Sequence, residues 1–144
     1  MADFRFYYPI SVRYGDLDPQ WHVNNARFVT YIEQARIAYV MELGLFSGES
    51  FFDLGLIVAD VHMAYLRPIK ITQNIRVGVR VSRLGNKSMF FEYAIEDADT
   101  GEVAATAETV MVSYDYHADR SRILPDEWRQ RISEFEGIPA GTAQ

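Results

Sequence analysis

The residues best suited to chemistry lie together in the segment DLDPQWHVNNARF, which begins at Asp16. Asp16 and Asp18 supply carboxylates, His22 supplies an imidazole, and Asn24 and Asn25 supply amides. A carboxylate that is ionised at neutral pH can act as a general base on water or as a nucleophile. The segment therefore holds either a site for acyl transfer or an ordinary, well-capped entry into a helix.

Asp18 and His22 each allow a structural and a catalytic interpretation. Asp18 precedes Pro19, and Asp-Pro is a common turn pair in which the carboxylate hydrogen-bonds its own backbone. His22 could orient a reactant or accept a proton, or it could cap the turn. Asp16 is expected to be a solvated turn carboxylate.

A long helical pattern follows the polar segment. Its apolar residues recur at i+3 and i+4 spacings, which are typical of a helix with a buried face: Phe28, Ile32, Ala35, Tyr39 and Leu43. Asn24 or Asn25 is a suitable N-cap and Gly44 a suitable stop. A helix N-terminus exposes unpaired N–H groups and the positive end of a dipole, so a carbonyl oxygen placed there would be polarised.

The elements that must position these groups are one strand before the helix and four after it. The runs with strand character are residues 4–14, 56–67, 74–84, 88–97 and 102–116. Gly85 and Asn86 are expected to supply positive φ angles to a hairpin, and a short helix is predicted after Pro125. The fold class is therefore α+β: a curved, antiparallel, five-stranded sheet wraps one long central helix, with a short C-terminal helix, in a single domain of residues 1–144.

Composition excludes several classes of protein. The chain has a formal net charge of −6, which argues against a nucleic-acid binder. It has no cysteine, so disulfides, thiolate metal sites and cysteine nucleophiles are absent. No apolar run approaches the length of about 18 residues that a membrane span needs. We expect a cytoplasmic protein.

Basic residues flank the ends of predicted strands and could hold the phosphates of a ligand. They are Arg67, Arg83 and Lys87, with Asn86 and Ser88 in the adjoining turn. The alternative is scattered surface charge.

Other titratable residues receive structural interpretations. Asp60 and His62 share one face of a strand and could form a metal site with His22, but a polar or interface-facing sheet edge explains them better. Glu33 is expected to pair with Arg36 on the same helix face. No metal and no cofactor is predicted.

The segment DLDPQWHVNNARFVTYIEQAR resembles the opening of hotdog-fold acyl-CoA thioesterases of the hydroxybenzoyl-CoA thioesterase type, and is most similar to the bacterial branch that carries HVNNAR. VHMAYLRPIKI resembles the end of a family strand, and RLGNKSMFFEYAI resembles a family hairpin. The resemblance covers about residues 5–135. It implies a hotdog fold and the hydrolysis of acyl-CoA by a homodimer or homotetramer.

The resemblance also implies roles for individual residues. Asp18 matches the catalytic carboxylate, Asn25 the residue whose backbone N–H polarises the thioester carbonyl, and His22 a histidine that the plant branch uses in catalysis. The positions implied to contact substrate are Trp21, Asn24, Arg83, Lys87 and Ser88. Many relatives have Gly where Trp21 stands.

Three functions remain open at this stage. The first is an acyl-CoA thioesterase that acts on fatty acyl chains of medium to long length. The second is a thioesterase for acyl-carrier-protein substrates, against which the acidic charge argues, because carrier proteins are acidic themselves. The third is a non-catalytic acyl-CoA-binding module, since one scaffold hosts several functions.

Overall fold

The fold is an antiparallel sheet packed on one long helix. We describe residues 3–46, 50 and 54–141 of a computed structural model. The elements in chain order are β1 (Phe6–Ile10), one 3-10 turn (Tyr14–Asp16), α1 (Asn25–Glu42), β2 (Leu56–Tyr65), β3 (Ile75–Leu84), β4 (Ser88–Asp97), β5 (Val103–Asp115), β6 (Arg120–Ser121) and α2 (Asp126–Glu136). This is the predicted hotdog order, with a two-residue strand, β6, added beside β5.

The sheet is curved and open, and its five main strands lie in the order β1-β3-β4-β5-β2. Every neighbouring pair is antiparallel. Strand β1 is shorter than predicted, because residues 4–5 and 11–14 pair with no neighbouring strand. Strands β1 and β2 form the two edges, and on its outer side β2 pairs with none of the residues that the structure describes.

The core lies between α1 and the inward face of the sheet. The helix buries the predicted apolar stripe together with Tyr31 and Val40. Each central strand contributes alternate residues to the same core, for example Val77, Val79 and Val81 of β3. The alternate residues of the strands and the i+3/i+4 residues of the helix therefore pack against each other in one apolar layer.

The end of α1 agrees with its predicted signal. Gly44 follows the helix with a φ of 73°, a left-handed conformation that favours glycine at this position. Arg131 of α2 donates to the carbonyl of Leu43, which is one of the carbonyls left unpaired at the helix end.

The prediction of positive φ angles at Gly85 and Asn86 was wrong, since neither residue adopts one. The turn between β3 and β4 is closed by a bond from Gly85 N to Ser88 O of 2.8 Å. The buried guanidinium of Arg129, on α2, donates to the carbonyls of Gly85 and Asn86 at 2.8 Å each. Tertiary bonds from α2 therefore hold this turn.

Candidate active site

A small hairpin presents the polar segment to the start of α1. Leu17 pairs with Val23 as an antiparallel bridge, and Asp18 N donates to His22 O at 2.8 Å. Val23 is buried, and its N–H donates to Ile69 O at 2.9 Å. The hairpin is therefore anchored to the chain that follows β2, and the residues at its tip, 19–21, are exposed.

The Asp18 carboxylate is held through only one of its oxygens. Its Oδ1 accepts hydrogen bonds from the backbone N–H of Gln20 at 2.8 Å and of His22 at 3.3 Å. The side chain is half-buried, and within the described part of the chain no group bonds to Oδ2. The structural and catalytic interpretations of Asp18 are thus compatible, because the turn fixes the side chain while one oxygen stays open to a reactant.

The first turn of α1 leaves one amide open beside this hairpin. Asn24 is the N-cap: its Oδ1 accepts from Ala26 N at 2.9 Å, and its carbonyl accepts from Arg27 N at 2.8 Å. Among the described residues, none accepts a hydrogen bond from Asn25 N. Asn24 N donates to Asp16 O at 2.8 Å, so the start of α1 is hydrogen-bonded to the same chain segment that carries Asp18 two residues later.

The prediction that Asp16 is a solvated turn carboxylate was wrong. Asp16 is only 7% exposed. Its Oδ2 accepts hydrogen bonds from the Tyr31 hydroxyl at 2.8 Å and from Arg13 N at 3.0 Å. Burial, the hydrogen bond to Asp16 and the negative charge of Asp16 together raise the pKa of Tyr31. Asp16 therefore ties the hairpin to the second turn of α1.

One sequence signal could have found this contact. Tyr31 falls between Phe28 and Ile32 on the buried face of α1, and a buried tyrosine hydroxyl needs a hydrogen-bond partner.

His22 and Trp21 occupy the hairpin without pairing their side chains to Asp18. His22 contributes main-chain bonds to Asp18, and its imidazole makes no hydrogen bond to any residue that the structure describes. The Trp21 ring is 65% exposed, and its centroid lies 6.3 Å from that of Tyr14.

Three of the predicted phosphate-binding residues, Arg83, Lys87 and Ser88, lie at the opposite end of the sheet from Asp18. Arg67 lies at the same end as Tyr65, and its N–H donates to Ala104 O at 3.0 Å. Ser88 is opposite Val112 of β5, whereas Tyr65, whose hydroxyl donates to Asn25 O at 3.0 Å, is opposite Ala105. Seven residues of strand separate these positions, which is about 24 Å. One chain alone therefore does not bring the 83–88 turn to Asp18.

Each of the predicted phosphate-binding cations has a partner close by. The Arg83 guanidinium stacks over the Phe90 ring at 3.8 Å, and Lys87 Nζ donates to Ser121 Oγ at 3.2 Å. Arg67 forms an ion pair of 3.3 Å with Glu102. These cations are exposed and remain accessible to an anionic ligand.

A cavity of about 450 Å³ lies beside the C-terminal half of α1. Apolar side chains make up most of its wall: Ile37, Val40, Phe46, Leu54, Leu56 and Met111. Glu33 and Arg36 lie at its rim but do not pair as predicted. Arg36 instead donates to the Tyr93 hydroxyl at 3.2 Å. The same hydroxyl forms a buried hydrogen bond with the Thr109 hydroxyl. Burial raises the pKa of Tyr93.

Asp60 and His62 are exposed on the outer side of β2. Within the described residues no group of three or more histidine, aspartate or glutamate side chains could hold a metal ion. In that same part of the chain, no helix is long and apolar enough to cross a bilayer.

The curved antiparallel sheet and the long helix packed against it have the architecture of the hotdog class. Residues 12–132 match the family model of the thioesterase-like superfamily. The chain belongs to this superfamily and is a thioester hydrolase.

Three relatives show how close the similarity is. A thioesterase from Thermus thermophilus, solved in complex with coenzyme A and zinc, is 36% identical, with a TM-score of 0.83 over 96% of this chain and 100% of that chain. The long-chain acyl-CoA thioesterase FadM of Escherichia coli is 26% identical over 88% of this chain and 96% of its own length. The uncharacterized protein YsmA of Bacillus subtilis is 28% identical over 91% of this chain and 87% of its own length.

Proposed function

We propose that this enzyme hydrolyses acyl-CoA thioesters with fatty acyl chains of medium to long length. The observation that carries the proposal is the state of Asp18 on the hairpin before α1: two backbone amides fix one carboxylate oxygen, and no described residue donates a hydrogen bond to the other. The names of two relatives, an acyl-CoA thioesterase and a thioesterase solved with coenzyme A, support this substrate class.

Asp18 acts on the thioester carbonyl carbon, directly as a nucleophile or by taking a proton from the attacking water. The Asn25 N–H donates to the carbonyl oxygen as negative charge develops on it. The carbon–sulfur bond then breaks, the thiol of coenzyme A leaves with a proton, and the oxygen of water ends in the free acid. His22 lies four residues from Asp18 and serves as a proton carrier at the edge of the same site.

The cavity beside α1 is the proposed place for the acyl chain. A methylene group is similar in size to a water molecule, whose share of liquid volume is about 30 Å³. The volume of about 450 Å³ therefore accommodates on the order of fifteen methylene groups. This estimate favours long over short chains.

A second copy of the chain completes the coenzyme A site in this proposal. The β2 edge is unpaired and exposes Val58 and Val61 on its helix-facing side, and such an edge readily pairs with another strand. If β2 of one subunit pairs antiparallel with β2 of the other about a two-fold axis, the sheet of the second subunit runs in the opposite direction. Its 83–88 turn then lies at the end of the sheet where this chain carries Asp18, so Arg83, Lys87 and Ser88 can reach the phosphates.

Thiol release from aromatic and short-to-long aliphatic acyl-CoAs tests the proposal. Replacement of Asp18 by Asn should lower kcat by about 10²–10⁴, whereas the control Asp99→Asn, on the exposed turn between β4 and β5, should leave kcat unchanged. Unchanged turnover in Asp18→Asn on every active substrate would remove Asp18 from its role. Faster turnover of matched acyl-carrier-protein thioesters would reassign the substrate, and binding without thiol release would indicate a binding module.

A further inference from the structure

The tip of the Asp18 hairpin holds a tryptophan in a backbone conformation that suits glycine. Trp21 N donates to Asp18 O at 3.0 Å, and Asp18 N donates to His22 O at 2.8 Å, which closes a three-residue loop. Trp21, the last residue of that loop, has a φ of 66°. Loops of this type place their last residue in the left-handed region, where glycine fits without strain and a bulky residue is an outlier.

The packing of the Trp21 ring does not offset this strain. The ring is 65% exposed, and its described aromatic neighbour, Tyr14, is 74% exposed. The two rings are tilted by 57° and do not stack face to face. Most of the surface of each ring is in contact with solvent. Strained residues of this kind concentrate at functional sites, and here the strain lies three residues after the proposed catalytic carboxylate.

The position of the ring relative to α1 indicates which part of a substrate it meets. The cavity proposed for the acyl chain follows α1 beyond Glu33, away from the hairpin. Trp21 lies on the hairpin at the N-terminal end of α1, so a thioester carbonyl bound at the Asn25 N–H would separate the ring from this cavity. On that side the substrate carries its thiol portion, whose first segment is the pantetheine arm, an extended chain of methylenes and amides.

We infer that Trp21, supported by Tyr14, is a specificity-determining residue that binds the pantetheine arm of the thioester. This inference rests on the proposed function and adds the part of the substrate that the hairpin recognises. An indole offers a flat apolar face to the methylenes and an N–H to an amide carbonyl. The arm is common to coenzyme A and acyl carrier protein.

The test compares acyl-CoA with the N-acetylcysteamine thioester of the same acyl group, which lacks most of the arm. Replacing Trp21 with Gly should raise KM for acyl-CoA about fivefold to tenfold and change kcat/KM for the truncated substrate less than twofold. The Trp21→Phe variant, which keeps a ring, should restore KM to within about twofold. Tyr7→Ala, an exposed tyrosine on β1, is the matched control. Acyl-carrier-protein thioesters are the third substrate in the comparison, and they show whether Trp21 also binds the pantetheine of a carrier protein.

The melting temperature of Trp21→Gly distinguishes a binding role of Trp21 from a structural role. Because glycine relieves the strained φ, Trp21→Gly should raise Tm by about 2–4 °C while weakening binding. A lower Tm would show that the ring contributes to folding and would overturn the inference. Equal effects on the full and truncated substrates would overturn it also, as would dissociation of the wild-type oligomer in Trp21→Gly. If the wild type hydrolyses no thioester at all, the proposed function fails instead.

Fluorescence can report the contact directly. The chain has two tryptophans, and Trp128 is buried, so Trp128→Phe leaves Trp21 as the single emitter. Saturating coenzyme A should shift its emission to the blue and reduce quenching by acrylamide. Unchanged emission at saturation, with binding confirmed by calorimetry, would contradict the proposed contact.

Discussion

The hydrogen bond between Asp16 and Tyr31 is predicted to contribute more to stability than any other bond of the hairpin. Hydrogen bonds to a charged group contribute about 1.5–3 kcal/mol each. Tyr31→Phe removes one such bond, of 2.8 Å, and should cost that amount. Asp16→Ala also removes the bond from Arg13 N, of 3.0 Å, and should cost about 3–6 kcal/mol. That is a large share of the 5–15 kcal/mol typical of a domain.

The ion pair beside this bond should matter less. Arg27 Nε lies 3.8 Å from Asp16 Oδ1, and the Arg27 side chain is half exposed. Exposed pairs contribute about 0–1 kcal/mol, so Arg27→Ala is the matched control. Urea unfolding of the single variants and of the double variant Asp16→Ala/Tyr31→Phe measures the coupling, expected at about 1.5–3 kcal/mol.

The same variants test whether the contact positions the site. Asp16 O accepts from Asn24 N, so a loosened hairpin should misplace the adjacent amide of Asn25 and lower kcat of Tyr31→Phe severalfold. If Arg27→Ala destabilises the protein more than Tyr31→Phe does, or if the double variant shows no coupling, the reasoning is refuted.

Three further predictions concern alkaline pH, chain length and assembly. Burial raises the pKa of Tyr39 and Tyr93 above the ordinary value near 10, so the stability that the two neutral hydroxyls contribute is complete below pH 10 and is lost as the pH rises above it. Above pH 10 the free energy of unfolding should fall by about 1.4 kcal/mol per pH unit for each tyrosine. Tyr39→Phe should make this slope shallower in urea titrations. Ile37→Phe, in the cavity wall, should shift the preferred acyl chain to shorter lengths in a thiol-release series, and an unchanged profile would place the chain elsewhere. Val61→Lys on the β2 edge should yield monomers in light scattering and raise KM for acyl-CoA; a dimer that persists would assign the contact to another face.

The fold could be predicted because its signals are local. The helix over Asn25–Glu42 follows from the spacing of its apolar residues, an asparagine N-cap and Gly44. The long strands follow from alternation and from turns between them. Errors arose where a distant group overrides the local pattern: Arg36 bonds Tyr93 and not its helical neighbour Glu33, and the 85–88 turn takes its shape from Arg129.

The candidate site was harder to predict than the fold, because its residues combine two tasks. Asp18 is both the acceptor that closes a turn and the proposed reactant, so its sequence context fits a structural role and a catalytic role equally well. What distinguishes the two is the count of its bonds: a purely structural Asp at this position would gain from using both oxygens, whereas here Oδ1 takes both backbone amides. Trp21 presents the same conflict in the backbone, since the loop would be less strained with glycine there. Asp18 and Trp21 each depart from the locally most stable arrangement, and they lie within four residues of each other. Such departures concentrate at functional sites, which is why we place the thioester at this hairpin.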